Sequence, residues 1–271
     1  MKSWSSRNSL SLLLSIAVLS LMTINVARAD WEKYALNKLQ GYRAYDQGDY
    51  YGAIEKLNVA AENLPSNEYP FHGGKIYATL GRALVEIGNY KTGIERLWTG
   101  AKYYAKGDHV ERADVLISIA HAHAGSGDTA MAYQVFQQGI NDYSQTDRWR
   151  TADMFKARAR FEEARGRFGK AIEDWSRAVQ IDKFNTGYNA ANSYYWRAIA
   201  YQKAGQYSSA IDDCVSAIDK DPKEHHFRLM AECLRANGQE ALASRMLTLR
   251  DKLGEGIAIS AAEVRRILAG E

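Results

Sequence analysis

Six glycines recur along this chain at nearly constant spacing: Gly48, Gly88, Gly127, Gly166, Gly205 and Gly238, separated by 40, 39, 39, 39 and 33 residues. A pattern repeated at such a period is one small unit that packs on its neighbours, not one irregular core. Five residues after each glycine stands a small residue: Ala53, Gly93, Ala132, Ala171, Ala210 and Ala243. Four further on stands a larger one: Leu57, Leu97, Phe136, Trp175, Cys214 and Leu247. Ala60, Gly100, Gly139, Ala178 and Ala217 follow three later, and the sixth copy breaks the pattern with Arg250. Seven residues before each glycine lie Gly41, Gly81, Ala120, Ala159, Ala198 and Ala231. A bulky residue precedes five of these by four: Tyr77, Leu116, Phe155, Tyr194 and Phe227, with Asn37 in the first copy.

Offsets of three and four place residues on one helix face. Small residues at fixed points let two antiparallel helices approach closely, and large ones fill the space beside them. Each glycine ends a helix, since it tolerates the left-handed conformation of a helix C-terminus. Asp49, Asn89 and Asp128 follow directly and suit the N-cap of the next helix. Only three prolines occur in 271 residues, which leaves long stretches free to be helical. The expectation is an all-α fold of helix–turn–helix hairpins. Near the C-terminus, Ser260 and Glu263 form a capping-box pair, with Val264, Ile267 and Leu268 on one face. Residues 259–271 are therefore expected to be a helix that seals the last hairpin.

This arrangement resembles the tetratricopeptide repeat, with its bulky, small and aromatic positions, its Ala-x3-Phe, and a late proline that Pro65 and Pro222 match. The resemblance runs from Tyr34 to Glu255. Gln40, Arg158 and Arg197 stand where the pattern has leucine, and His123 and Glu162 where it has tyrosine. The period exceeds the usual ~34 residues, and the excess lies between copies, in "YYAKGDHVERAD" and "QIDKFNTGYNAA". The resemblance implies a right-handed α-solenoid of about six hairpins over residues 30–258.

Residues 1–29 read as a secretory signal: Lys2 and Arg7, an uncharged apolar stretch from Ser9 to Val26, then Ala27-Arg28-Ala29. Cleavage after Ala29 would give a periplasmic or secreted protein with no membrane span. The length of the apolar stretch leaves an uncleaved anchor as the alternative. The formal charge of +3 comes from 35 basic and 32 acidic residues. Loss of Lys2, Arg7 and Arg28 leaves 32 of each, so the balance gives no sign of a nucleic-acid partner. Cys214 and Cys233 could pair as a disulfide in an oxidising compartment, or serve as two small buried hydrophobes.

No assembled nucleophile, acid–base set, phosphate loop or metal-binding spacing occurs, so neither an enzyme nor a cofactor or metal is expected. His121 and His123 are two apart and point in different directions on a helix. In the family resembled, the first helices of the hairpins line a concave groove. The resemblance places Lys38, Tyr42, Arg82, His121, Lys156, Arg160, Tyr195 and Arg228 there. Their basic and aromatic character suits a protein or peptide partner with an acidic segment. Tyr42 stands where the family's carboxylate clamp needs asparagine, so that function is not carried over. The expected role is an interaction scaffold of the bacterial envelope. The alternative is a structural subunit of an export or exopolysaccharide-secretion machine.

Overall fold

The computed structural model describes residues 30–66, 68, 70–105, 109–183 and 188–270. The expected leader, residues 1–29, lies outside them. Among the described residues there are thirteen helices and no strand. They are α1 (30–46), α2 (Tyr50–Glu62), α3 (Pro70–Glu86), α4 (Tyr90–Tyr104), α5 (His109–Gly125), α6 (Thr129–Tyr143), α7 (Arg148–Ala164), α8 (Phe168–Asp182), α9 (Tyr188–Lys203), α10 (Tyr207–Lys220), α11 (Glu224–Ala236), α12 (Glu240–Gly254) and α13 (Ala261–Leu268). None of the described helices is long and apolar enough to cross a membrane.

All six repeating glycines have positive φ, between 70° and 86°. Each sits between two helices, as its spacing predicts. At Gly205 the amides of Gly205 and Gln206 donate back to the carbonyls of Gln202 and Tyr201, at 3.0 and 2.9 Å. These bonds close the end of α9 and require the left-handed residue. Asp49 caps α2 by accepting from the Gly52 amide at 2.9 Å. Asn89 occupies the N-cap of α4 without a side-chain cap bond, contrary to expectation. The long period is met partly by long first helices: α3, α5 and α7 have 17 residues and α9 has 16.

The described residues fall into two compact units, one ending at Thr129 and one beginning at Ala130. In the first, α2 packs on α3, α3 on α4, and α4 on α5. The α3–α4 contact is glycine against glycine. A Cβ on Gly93 would lie 2.9 Å from the Gly81 carbonyl oxygen, and one on Gly100 would lie 3.0 Å from that of Gly74. The small residues of the repeat thus set how closely the two backbones approach. Tyr34, Leu57, Ile76 and Leu80 fill the core beside them, each no more than 1% exposed.

In the second unit α7 packs on α8, α8 on α9, α9 on α10, α10 on α11, and α11 on α12. Ala171, Ala178 and Ala159 are fully buried around Trp175. Ala210 and Ala217 play the same part in α10. The helix α13 packs on α10 and α12, with Val264 fully buried and Ile267 and Leu268 against the same cluster. Ser260 caps it by accepting from the Glu263 amide at 3.2 Å, as the capping box predicts.

Cys214 and Cys233 are both buried in this cluster and both are free thiols. In this arrangement the two residues pack as small hydrophobes. Burial among apolar side chains pushes the Cys233 thiol up to about 12, which keeps it protonated and unreactive.

Candidate functional site

In the first unit the expected residues sit on α1, α3 and α5. Lys38 Nζ donates to the Tyr34 hydroxyl at 3.0 Å and lies 4.5 Å from that ring's centre. One turn on, the Tyr42 ring carries Lys75 Nζ at 4.8 Å. The Tyr42 hydroxyl is buried and, among the described residues, has no hydrogen-bond partner. Burial, then the neighbouring Tyr34, raises its pKa above the ordinary tyrosine value, so it stays protonated. Glu68 completes the cluster. Burial favours its neutral form, but bonds from His72 and Tyr34 and the charge of Lys38 outweigh this and hold the carboxyl below its usual range. Arg82 Nε donates to Ser118 Oγ at 3.0 Å, tying α3 to α5, and His121 is exposed on α5. Tyr42 and Lys38 are half-buried members of this cluster.

In the second unit a ladder crosses the first helices α7, α9 and α11. The Arg160 guanidinium lies 4.8 Å from the ring centre of Trp196, which stacks on Trp175 at 6.4 Å and 11°. Tyr195 meets Trp196 edge-on at 5.6 Å and His225 at 4.6 Å. Arg228 follows on α11 and is exposed, beside a cavity of about 460 Å³ shared with Glu224, His225, Arg250 and Asp251. Burial, then the charge of His225, depresses His226 to about 4, so it is neutral at physiological pH. Lys156 is different. Its ammonium meets Asp182 at 2.8 Å and Asp153 at 3.7 Å, so its charge is already balanced. Among the described residues neither Arg160 nor Arg228 has a carboxylate partner. No group of three or more His, Cys, Asp or Glu that could hold a metal ion gathers among the described residues.

No protein-family model matches the sequence, and no curated protein does. Solved structures do. The C-terminal part of a TPR repeat-containing protein from Cytophaga hutchinsonii aligns at 17% identity over 80% of each chain, with a TM-score of 0.56. A putative kinesin light chain of P. anserina with nearly identical TPR-like repeats gives 20% identity, covering 69% of this chain and 97% of its own, at a TM-score of 0.53. BtubC (BKLC) from P. vanneervenii gives 11% identity over 90% and 93%, at 0.54. The fold is the tetratricopeptide-repeat fold.

Within this TPR fold the departures from the repeat pattern have a structural role. Arg158 and Arg197 replace leucine, and each forms a bidentate pair inside its own hairpin. Arg158 Nε and Nη2 donate to Asp174 at 2.7 and 2.8 Å, and Arg197 Nε and Nη2 donate to Asp213 at 2.7 Å each. The third nitrogen reaches the second helix of the hairpin before, at Gln137 (3.0 Å) and Ser176 (3.2 Å). These arginines therefore link TPR hairpins in register. A cue was present: Arg158 and Arg197, Asp174 and Asp213, and Gln137 and Ser176 are all 39 apart. Lys75 and Glu68 also escaped the sequence reading, because their importance depends on what faces them across helices.

Proposed function

We propose that this TPR chain is an exported, non-enzymatic interaction scaffold of the bacterial envelope. It holds an acidic or carboxylate-bearing segment of a partner protein against α7, α9 and α11. The observation that carries this reading is the Arg160–Trp196–Tyr195–His225 ladder ending at Arg228. Two guanidinium groups without a carboxylate partner offer bidentate donors. The aromatic side chains between them offer contact area that a bound segment can cover. Lys156 is no part of it, since Asp182 and Asp153 already neutralise it. Binding should weaken with salt, because screening acts over about 8 Å at physiological ionic strength.

The test is affinity for a partner captured from envelope extract and then purified. Arg160→Glu with Arg228→Glu should lower affinity about tenfold or more, while helicity stays that of the wild type. Normal binding by this double variant would move the site off the ladder.

Export rests on residues 1–29 and has its own measurement. N-terminal sequencing of protein made from the full gene should begin Asp-Trp-Glu-Lys. A protein that keeps Lys2 and resists carbonate extraction would instead be anchored.

A further inference from the structure

The array ends differently from the way it repeats. Each second helix up to α10 is followed by a first helix of 13 to 17 residues, whereas α12 is followed by α13, which has eight. The short helix rests on α10 and α12, and a cavity of about 450 Å³ lies between α12 and α13. Its floor is apolar: Leu249 is 3% exposed and Ile267 is half-buried. Lys252 from α12 and Arg266 from α13 line its walls, both exposed, and Glu263 is the one acid in the lining. Among the described residues neither Lys252 nor Arg266 has an ion-pair partner.

The cations depart from the repeat. Seven residues after the break glycine the first five copies carry Glu55, Glu95, Gln134, Glu173 and Asp212, and the sixth carries Arg245. Fourteen after it stand Glu62, Lys102, Asn141, Gln180 and Asp219, then Lys252, so the sixth copy alone is basic at both positions. Both of these positions line the cavity. Arg245 already has an interaction of its own, which leaves Lys252 and Arg266 as the charges that a ligand would meet.

We propose that this cavity binds a small organic carboxylate, an apolar body with a single negative charge. Its volume lies in the range of small-molecule sites, about 300–1,000 Å³. Leu249 and Ile267 take the body. The Arg266 guanidinium offers a carboxylate two parallel N–H groups, and the Lys252 ammonium adds a second positive charge. Glu263 sets the charge of the ligand: two cations against one acid match a monoanion, and the carboxylate repels a dianion such as a phosphate ester. The cavity shares no residue with the ladder on α7, α9 and α11.

Fluorescence titration with dansylglycine, a carboxylate on an apolar ring system, tests this at neutral pH on protein purified from cells expressing the full sequence. Emission should rise to saturation at one equivalent, with a Kd of about 10–100 µM. Dansylglycinamide, the same body without the charge, should bind about fivefold or more weakly. Lys252→Gln with Arg266→Gln should weaken dansylglycine binding about fivefold or more, with an unchanged unfolding midpoint, since both side chains are exposed. Glu263→Gln keeps a residue suited to the capping box and should tighten binding about twofold to fivefold, a gain that loss of structure would not give. The proposal is overturned if no saturable binding occurs, if the amide binds as tightly as the acid, if Lys252→Gln with Arg266→Gln binds like the wild type, or if Glu263→Gln fails to tighten binding.

Discussion

Replacing Arg197 with leucine should destabilise the second unit by about 3–5 kcal/mol, because it strands a buried carboxylate. Asp213 is 5% exposed, and both its oxygens accept from Arg197. Among the described residues both side-chain hydrogen bonds given for Asp213 come from Arg197. The repeat itself supplies the control. In the third copy the equivalent positions are Ile119 and Val135, both buried and apolar. Arg197→Leu combined with Asp213→Val should therefore recover most of the loss, since a well-packed apolar pair can match a buried ion pair. The double variant still lacks the bond to Ser176, so its recovery should stop short of the wild type by about 1 kcal/mol. Urea denaturation followed by circular dichroism measures all three. A single variant as stable as the wild type would mean that Asp213 is not held by Arg197 in solution.

Trp175→Ala should cost a similar amount, about 3–5 kcal/mol. The side chain is 1% exposed, ringed by Ala159, Ala171, Ala178 and Ala200. Four alanines around one indole cannot collapse into the space it would leave. Its Nε1 also donates to Glu163 Oε1 at 2.7 Å, and Glu163 Oε2 takes Lys203 at 3.1 Å. Trp175→Phe keeps most of the volume and leaves Glu163 its lysine, so it should cost roughly 1–2 kcal/mol. The two variants together separate packing from the hydrogen bond in the same denaturation experiment. Trp175 also supports Trp196, on which Arg160 rests. Trp175→Ala should therefore weaken partner binding even in conditions where the unit remains folded, whereas Trp175→Phe should not. Equal binding by both variants would separate the ladder from its support.

How far the fold was legible can be judged residue by residue. The break glycines were readable because a positive φ is a property of one residue and its immediate neighbours. The small and large positions were readable because offsets of three and four fix a helix face without knowledge of what lies opposite. Ser260 was readable for the same reason: its cap bond reaches only to Glu263. Asn89 shows the limit, since its position is right yet its side chain makes no cap bond.

The candidate site was less legible. Lys156 and Arg160 are one turn apart on α7 and look alike as sequence. Lys156 is neutralised by Asp182, 26 residues away on the neighbouring helix, whereas Arg160 rests on Trp196. The lining residues came from a repeat register that places side chains on one surface but says nothing about their partners. The sequence by itself determined that this chain would be helical hairpins of fixed period, because those signals are local in the chain and repeated six times. The tertiary structure alone decided which charges are spent inside the protein and which remain for a partner. Coulomb and hydrogen-bond partners are set by distance in space, and across a hairpin that distance follows from how the helices pack, not from separation along the sequence.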